Sequence, residues 1–213
     1  MKMKLNQSKI ANVLSKNTKM KNLISKQVHK LVQEYVDNSK DQMVSEYENH
    51  PVTKEIKNGP DAINISNTLG GQGNLFSYIG FEEGSNPTDI VKDMLETSVQ
   101  VPNRPEISVN GKNIKISFPV SGPTLNEIES VTPMPFEGGR SWTTGIEKGI
   151  SGFSYYIFKK FIKNSRSSTG IQSESEVRSG SFKPSPYLSG ILKKFYSKVN
   201  SKFNLWNLNL KIF

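Results

Sequence analysis

Residues 68–81, which read TLGGQGNLFSYIGF, hold the pattern in this chain that comes nearest to a chemical site, because three glycines occur within four positions. Glycine-rich loops cradle phosphates when a Gly-Lys-Ser/Thr ending or a strand–glycine–helix order accompanies them. Here Asn74 follows Gly73, and no lysine occurs before Lys92. The run at residues 75–81 is aromatic and β-branched, which predicts a strand. We therefore predict a flexible glycine turn before a core strand, with no bound nucleotide or other cofactor.

Metal ligands and catalytic bases are scarce. The chain has two histidines and no cysteine, so zinc sites and catalysis by Ser-His-Asp or Cys-His groups lack their essential residues. His29 is predicted to lie on a long helix and His50 at its end, too far apart for a shared site. Glu127 and Glu129 could form a carboxylate pair, but no second feature supports them, so a solvated helix face is the simpler interpretation.

A calcium loop is also only partly matched. Asp37, Ser39, Asp41 and Glu48 occupy positions 1, 3, 5 and 12 of an EF-hand loop, but Gln42 stands where that loop requires glycine. The same residues continue a helical pattern. The sequence therefore predicts no metal site and no enzyme.

A long amphipathic helix is predicted from Thr18 to about Glu48, because apolar residues recur there at three- and four-residue spacings. It should end at His50, since Pro51 disfavours the helical conformation of the residue before it. We expect this helix to pack on a sheet through one apolar face, which carries Ile24, Val28, Leu31 and Tyr35.

Strand patterns occur at three places before residue 205. Residues 105–120 predict a β-hairpin, because two alternating runs flank the favoured turn Asn110-Gly111. Residues 75–81 and 141–147 are predicted to be further strands. Shorter helices are predicted after Pro87 over about residues 88–95, over residues 125–131 and over residues 187–203.

These elements predict an α+β fold, in which the long N-terminal helix packs on a small, mainly antiparallel β-sheet, with a C-terminal helix and extended arms. The predicted organisation is a basic arm over residues 1–17, a single α+β domain over residues 18–204 and a strand-like tail over residues 205–213. Residues 164–185 are rich in serine, glycine and charge, and are predicted to form a mobile loop.

Charge is segregated along the chain, whose net charge is +9. Residues 1–30 hold eight lysines and no acid, residues 31–158 hold 9 basic and 17 acidic residues (net −8), and residues 159–213 hold 11 basic and 2 acidic residues (net +9). Basic ends around an acidic middle suit nucleic acid, an acidic partner or the middle of another copy. The hydrophobic fraction of 34% is low, so partner-dependent segments are expected. No apolar run approaches the roughly 18 residues of a membrane span, and the first residues lack the apolar core of a signal peptide.

A basic RNA- or DNA-binding protein of the ribosome-associated type is one interpretation of these charges. Its basic ends have aromatic neighbours that could stack bases: Phe158, Phe161, Tyr196, Phe203 and Trp206. Several of these residues also fit the apolar faces of predicted helices, where core packing is the default.

Four short blocks carry a resemblance to a known family. They are HPVTKEIKNGP at residues 50–60, GNLFSYIGF at residues 73–81, an Ile-Glu-x-Gly signature at Ile146, Glu147 and Gly149, and Ser185-Pro186-Tyr187-Leu188 before the last helix. Together with the long first helix and the hairpin, they resemble the tail-completion or neck (head–tail joining) proteins of tailed, contractile-tailed phages. The resemblance covers about residues 18–200. The chain lacks the Pro-Val-Asp-Thr-Gly and Arg-Pro-Phe-Leu stretches that many members of that family carry.

The resemblance implies a non-enzymatic virion subunit that forms a ring, expected to be a hexamer, between the portal side of the neck and the tail tube. Its implied partners are itself, neighbouring neck or portal-side proteins and tail-tube or terminator proteins, with DNA nearby and no membrane. Candidate subunit contacts are the flexible glycines Gly70, Gly71 and Gly73. The apolar residues that share one face of the extended tail are further candidates: Trp206, Leu208, Leu210 and Ile212. The tail could pair with this domain's own sheet or add a strand to a neighbouring subunit.

Overall fold

The structure is a computed structural model that describes residues 18–69, 73–103, 105–110, 113–135, 139–148 and 185–205. Its seven helices, α1 to α7, are Thr18–Asn49, Pro51–Lys57, Leu75–Ile79, Asp89–Thr97, Leu125–Val131, Trp142–Lys148 and Leu188–Leu205. A 3-10 turn spans Gly59–Asp61, and strands β1 and β2 are Glu106–Asn110 and Asn113–Ser117.

The predicted α+β fold is wrong, because the described part of the chain is mostly helical. Within the described residues, strands β1 and β2 pair only with each other, so they form a two-stranded hairpin and not a sheet layer. The long helix therefore has no sheet of the predicted kind to pack on. Two of the three segments predicted as strands, residues 75–81 and 141–147, are helices instead.

Helix α3 (Leu75–Ile79) forms because its two ends are capped. The side chain of Asn74 accepts a hydrogen bond from Ser77 N at 2.8 Å, which satisfies an unpaired donor of the first turn. At the other end, Gly80 adopts the left-handed conformation (φ 82°), and its N–H bonds to the carbonyls of Phe76 and Ser77. These caps outweigh the β propensity of the aromatic run between them.

A serine cap likewise explains helix α6 (Trp142–Lys148). The Ser141 hydroxyl accepts hydrogen bonds from the N–H groups of Thr143 and Thr144, so this residue begins a helix and does not continue a strand. Trp142, Thr143 and Ile146 are buried on the inner face. Over so short a segment, the spacing of apolar residues could not distinguish a helix from a strand.

The long helix α1 is confirmed, and it ends at Asn49 as predicted from the proline that follows. His50 is extended (φ −64°, ψ 136°), and its ring accepts from Val52 N, so it caps the short helix α2. Of the predicted face, Val28 and Tyr35 are partly buried, but the inclusion of Leu31 is wrong. Val32 and Val36 are buried, whereas Leu31 is 50% exposed.

The hairpin is confirmed. Strands β1 and β2 pair antiparallel, with Ile107 opposite Ile116 and Asn110 opposite Asn113. The pairing places Asn110 within strand β1, so it is not the turn residue that was predicted. A backbone bridge between Gln100 and Ser121 extends the contact between the two sides of the ribbon.

The described residues separate into two compact units. The first unit comprises those up to Gln42, from Ser98 to Gly122 and from Lys194 onward; the second comprises those of Met43–Thr97 and Pro123–Lys193. Helices α1 and α7 each contribute to both units.

In the first unit, α1 meets the C-terminal part of α7 and the chain that follows the hairpin. The ring of His29 lies 6.0 Å from that of Phe118, and the Tyr35 hydroxyl donates to the Lys198 carbonyl at 3.2 Å. The buried core residues are Val32, Val36, Phe118, Val120, Phe195 and Val199.

In the second unit, helices α2 to α6 surround an aromatic core. The ring of Phe81 lies 5.5 Å from Phe76 and 5.7 Å, edge-on, from Trp142. Helix α7, predicted over residues 187–203, spans Leu188–Leu205, and its buried residues lie in both units: Leu188, Ile191, Leu192, Phe195 and Val199. That prediction is confirmed.

Several predictions lie outside the described residues. These are the basic arm over residues 1–17, all but the last residue of the loop predicted over residues 164–185, and the four tail contacts Trp206, Leu208, Leu210 and Ile212. Leu205 is the last residue of α7. Gly70 and Gly71 are also outside the description, whereas Gly73 lies within it.

Candidate functional site

Glu55 is a fully buried acidic residue at the centre of the most connected polar cluster in the second unit. It lies on α2, and its carboxylate oxygens accept from Asn64 Nδ2 at 2.8 and 3.0 Å, from Ser66 N at 2.9 Å and from Leu75 N at 2.7 Å. The carboxylate therefore joins α2 to the loop that follows it and to the first residue of α3. Buried polar groups of this kind are retained only when their hydrogen bonds are satisfied.

The loop between α2 and α3 continues this network. Asn64 Oδ1 accepts from Leu69 N at 3.1 Å, and the hydroxyls of Ser66 and Thr68 lie 2.8 Å apart. Asn67 takes a left-handed conformation (φ 56°) that asparagine tolerates better than most residues. The loop is thus held by its own polar side chains around one carboxylate.

The glycine stretch of the sequence ends inside this cluster. Gly73 has a φ of 68°, which favours glycine, and the Asn74 side chain donates to the Pro60 carbonyl. The glycines do precede a helix, contrary to the prediction of a strand. The backbone N–H at the start of α3, however, donates to Glu55, so the protein's own carboxylate takes the place that a phosphate would need.

A second cluster lies where α7 begins. The ring of Tyr187 stacks at 6.0 Å on that of Tyr47 and lies 4.7 Å from the His50 ring. The Tyr187 hydroxyl is 2.6 Å from Thr53 Oγ1, and the Tyr47 hydroxyl donates to the Thr88 carbonyl at 2.8 Å. Burial raises the pKa of both phenols well above the ordinary value of 10.0.

These two tyrosines should make the protein sensitive to alkali. In the unfolded chain a phenol ionises as the pH passes 10, whereas in the folded protein Tyr47 and Tyr187 stay protonated. Their contribution to stability is therefore complete below pH 10 and is lost as the pH rises further. The free energy of unfolding should fall by about 1.4 kcal/mol per pH unit for each such tyrosine. Urea unfolding at a series of alkaline pH values measures this slope.

The control for this effect is a pair of phenylalanine variants. Tyr47→Phe should make the alkaline slope shallower, because it removes one of the two buried phenols. Tyr187→Phe should make it shallower in the same way, because it removes the other buried phenol. Equal slopes in wild type and Tyr47→Phe would contradict the assignment.

Glu147, part of the Ile-Glu-x-Gly signature, caps the same end of α7. Its carboxylate accepts from Ser189 N at 2.8 Å and from the Ser189 hydroxyl at 2.6 Å. The adjacent carbonyl of Ile146 accepts from Ser185 N. A carboxylate at a helix N-terminus satisfies an unpaired donor and suits the helix dipole. The signature thus has a structural role in this chain: it ties α6 to α7.

Three hydroxyl groups form a further buried cluster, between α5 and α6. Ser141 Oγ lies 2.7 Å from the hydroxyl oxygens of both Thr132 and Thr143, and Thr132 Oγ1 also donates to the Ile128 carbonyl. Every contact in this set is made by a hydroxyl or a backbone group. The cluster fixes the chain between the two helices and is not arranged like an activated nucleophile.

The other groupings considered from sequence also have structural roles. The four residues that match a calcium loop lie on the continuous helix α1. Glu127 forms a capping box with Thr124, whose N–H lowers the pKa of the Glu127 carboxyl. Over the residues that the structure describes, no three His, Cys, Asp or Glu side chains are grouped as a metal site.

Sequence reasoning missed the role of Glu55, although a signal was present. In PVTKEIK, Glu55 lies three residues after Val52 and next to Ile56, and so falls on the apolar face of a short helix. An acid at such a position must find buried donors. The isoleucines of the following stretch, Ala62-Ile63-Asn64-Ile65-Ser66, alternate with polar residues, and their exposure was not expected either.

No helix in the described part of the chain has both the length and the apolar character of a membrane-crossing segment. Comparison of the chain with protein-family models, with curated protein sequences and with solved structures finds no match.

Proposed function

We propose that this chain is a structural subunit of a virion, in the neck or tail-completion region of a tailed phage with a contractile tail. In this role copies form a ring, expected to contain six subunits, that joins the portal side of the head to the tail tube. The proposal does not rest on the fold class, since the α+β expectation was wrong. It rests on how the four sequence blocks of the resemblance meet in the second unit.

Direct contacts join these blocks in pairs. Glu55, in the first block, accepts from the backbone of Leu75 in the second. Thr53, also in the first block, bonds to Tyr187 in the fourth, and Ile146 of the third block accepts from Ser185 of the fourth. The matched residues therefore form one integrated structure. This supports reading the resemblance as a whole and not as four short coincidences.

The distribution of charge also supports an assembly role. The net charge of +8 over residues 1–30 and of −8 over residues 31–158 lets one copy attract another, or a neighbouring ring, through opposite surfaces. The polar clusters around Glu55, Glu147 and Ser141 are occupied in fixing helices to one another, so we propose a structural and not an enzymatic subunit.

The first test uses the particle. The phage whose genome encodes this chain should contain it in purified virions by mass spectrometry, and immunogold labelling should place it at the head–tail junction. Deleting its gene should yield filled heads and separate tails that fail to join. Normal virions from the deletion strain, or label elsewhere on the particle, would contradict the proposal.

A salt titration separates this function from nucleic-acid binding. Tyr196, one of the aromatic residues that the alternative depends on, packs edge-on against Phe195 at 5.1 Å. We expect weak binding to DNA and RNA that disappears at physiological salt. Tight binding with a steep salt dependence would favour the nucleic-acid interpretation.

A further inference from the structure

The loop between α2 and α3 exposes apolar side chains and turns polar groups inward. Ile63 is 76% exposed and Ile65 is 45% exposed, whereas the polar Asn64 and Ser66 beside them bond inward to Glu55. In an ordinary surface loop the apolar side chains would turn inward. Here the buried carboxylate accepts from the Asn64 side chain and from the Ser66 backbone N–H, while the isoleucines on either side of Asn64 face solvent.

The same network holds the isoleucines in place before any partner binds. Ile65 N donates to the Ile63 carbonyl at 2.8 Å, which closes a tight turn, and the Asn74 side chain holds the base of the loop through Pro60. A contact surface that is already ordered loses little conformational entropy on binding. We call the pair Ile63 and Ile65, with the loop that carries it, the isoleucine knob.

A second exposed apolar surface lies on the other unit. Leu23 is 59% exposed and Leu31 is 50% exposed. With Gln27 they form one row along α1, since residues four apart are neighbours on a helix. Exposed lysines accompany this row: Lys19, Lys26 and Lys30. We call this surface the leucine row.

We propose that the isoleucine knob of one copy packs on the leucine row of the next copy. The inference rests on the proposed function, in which this chain forms a ring, and identifies the contact that closes it. Two pairs of large aliphatic residues are complementary in chemistry and size. The row lies in the segment of net charge +8, and the knob, with exposed Asp61 at its start, lies in the segment of net charge −8.

The contact is heterologous, because two different surfaces of the same chain meet. Such a contact leaves one knob and one row free at the ends of every open oligomer, so assembly continues until a ring closes. Ile90, at 46% exposure, is the remaining large exposed apolar residue of the described part. It stands alone on its helix, as scattered surface residues commonly do, and supplies a matched control.

Cysteine cross-linking tests the contact directly, because the chain has no cysteine of its own. Two full-length variants, Ile63→Cys and Leu31→Cys, are mixed and treated with a short bismaleimide. We expect a cross-linked dimer that forms in the mixture and is absent when Ile90→Cys replaces Ile63→Cys. Absence of the dimer in the first mixture, or equal yield in both, would overturn the proposal.

Serine variants test how strongly this contact contributes to self-association. Ile63→Ser/Ile65→Ser and Leu23→Ser/Leu31→Ser should each raise the Kd of self-association about tenfold or more, because a few buried apolar anchors dominate such contacts. Ile90→Ser should leave it unchanged. A mixture of the two double variants should form 1:1 dimers and no rings, since one intact knob then meets one intact row. Light scattering after size exclusion distinguishes these products.

The outcomes separate this contact from the proposed function. If the serine variants assemble like wild type while the chain is present at the head–tail junction, the contact is wrong and the function stands. If the cross-link forms but the chain is absent from virions, the contact stands and the function is wrong. A wild-type chain that remains monomeric and does not cross-link would overturn the contact.

Discussion

Replacing Glu55 with alanine is expected to lower the free energy of unfolding by about 2–4 kcal/mol, because buried donors lose their acceptor. Asn64 Nδ2 keeps neighbouring hydroxyls as alternative acceptors. The N–H groups of Ser66 and Leu75 donate to the carboxylate, and after its removal they must take up water or stay unpaired. The loss should appear as a lower urea concentration at the midpoint of unfolding. The slope of the free energy of unfolding against urea concentration should change little.

The change should also be visible locally. Amide hydrogen exchange at Ser66 and Leu75 should accelerate in Glu55→Ala more than exchange at core amides of α1, because the loop opens before the whole unit unfolds. Glu55→Gln should fall between wild type and alanine, since its amide keeps one acceptor oxygen but turns an N–H₂ group toward donors.

The matched control is Glu83→Ala, which removes an exposed acid from the same unit. A change within about 0.5 kcal/mol is expected there, as for most surface substitutions. If Glu55→Ala is as stable as Glu83→Ala and shows wild-type exchange at Ser66 and Leu75, the carboxylate does not organise the loop. The isoleucine knob would then need another explanation.

Long periodic segments were predictable from the sequence, and short ones were not. Helices α1 and α7 repeat the apolar period over many turns, so their type follows from the pattern. The hairpin was predictable because two alternating runs flank a turn sequence. The aromatic segments that form α3 and α6, however, are only five to seven residues long, and their apolar spacing fits a helix or a strand.

Tertiary contacts determine that those short segments are helices. Helix α3 depends on Asn74 at one end, on Gly80 at the other and on Glu55, which lies 20 positions earlier in the chain. None of these contacts can be read from the segment itself. The same argument applies to the candidate site: Asn64, which lies between the two exposed isoleucines of the knob, bonds to an acid nine positions earlier in the chain.

The buried face of α1 gives the second large expected effect. Val36 is fully buried in the first unit, whereas Leu31 is half exposed on the same helix. Val36→Asp should leave little or no folded protein, since an unpaired charge in a core costs several kcal/mol, a large share of the stability of an average domain. Leu31→Asp should fold with near wild-type stability, because its carboxylate can remain in water. Circular dichroism and thermal unfolding of the purified variants compare the two.

Comparing these two variants separates the effect of burying the new side chain from a general effect of charge on the helix. Both variants place the same acid near the middle of α1, so their helix propensities and net charges match, and only the direction of the side chain differs. If Leu31→Asp unfolds and Val36→Asp remains folded, the face first predicted from the sequence is the buried one. If both fold, the first unit does not depend on this face. If Leu31→Asp folds but no longer self-associates, the leucine row belongs to an interface and not to the core.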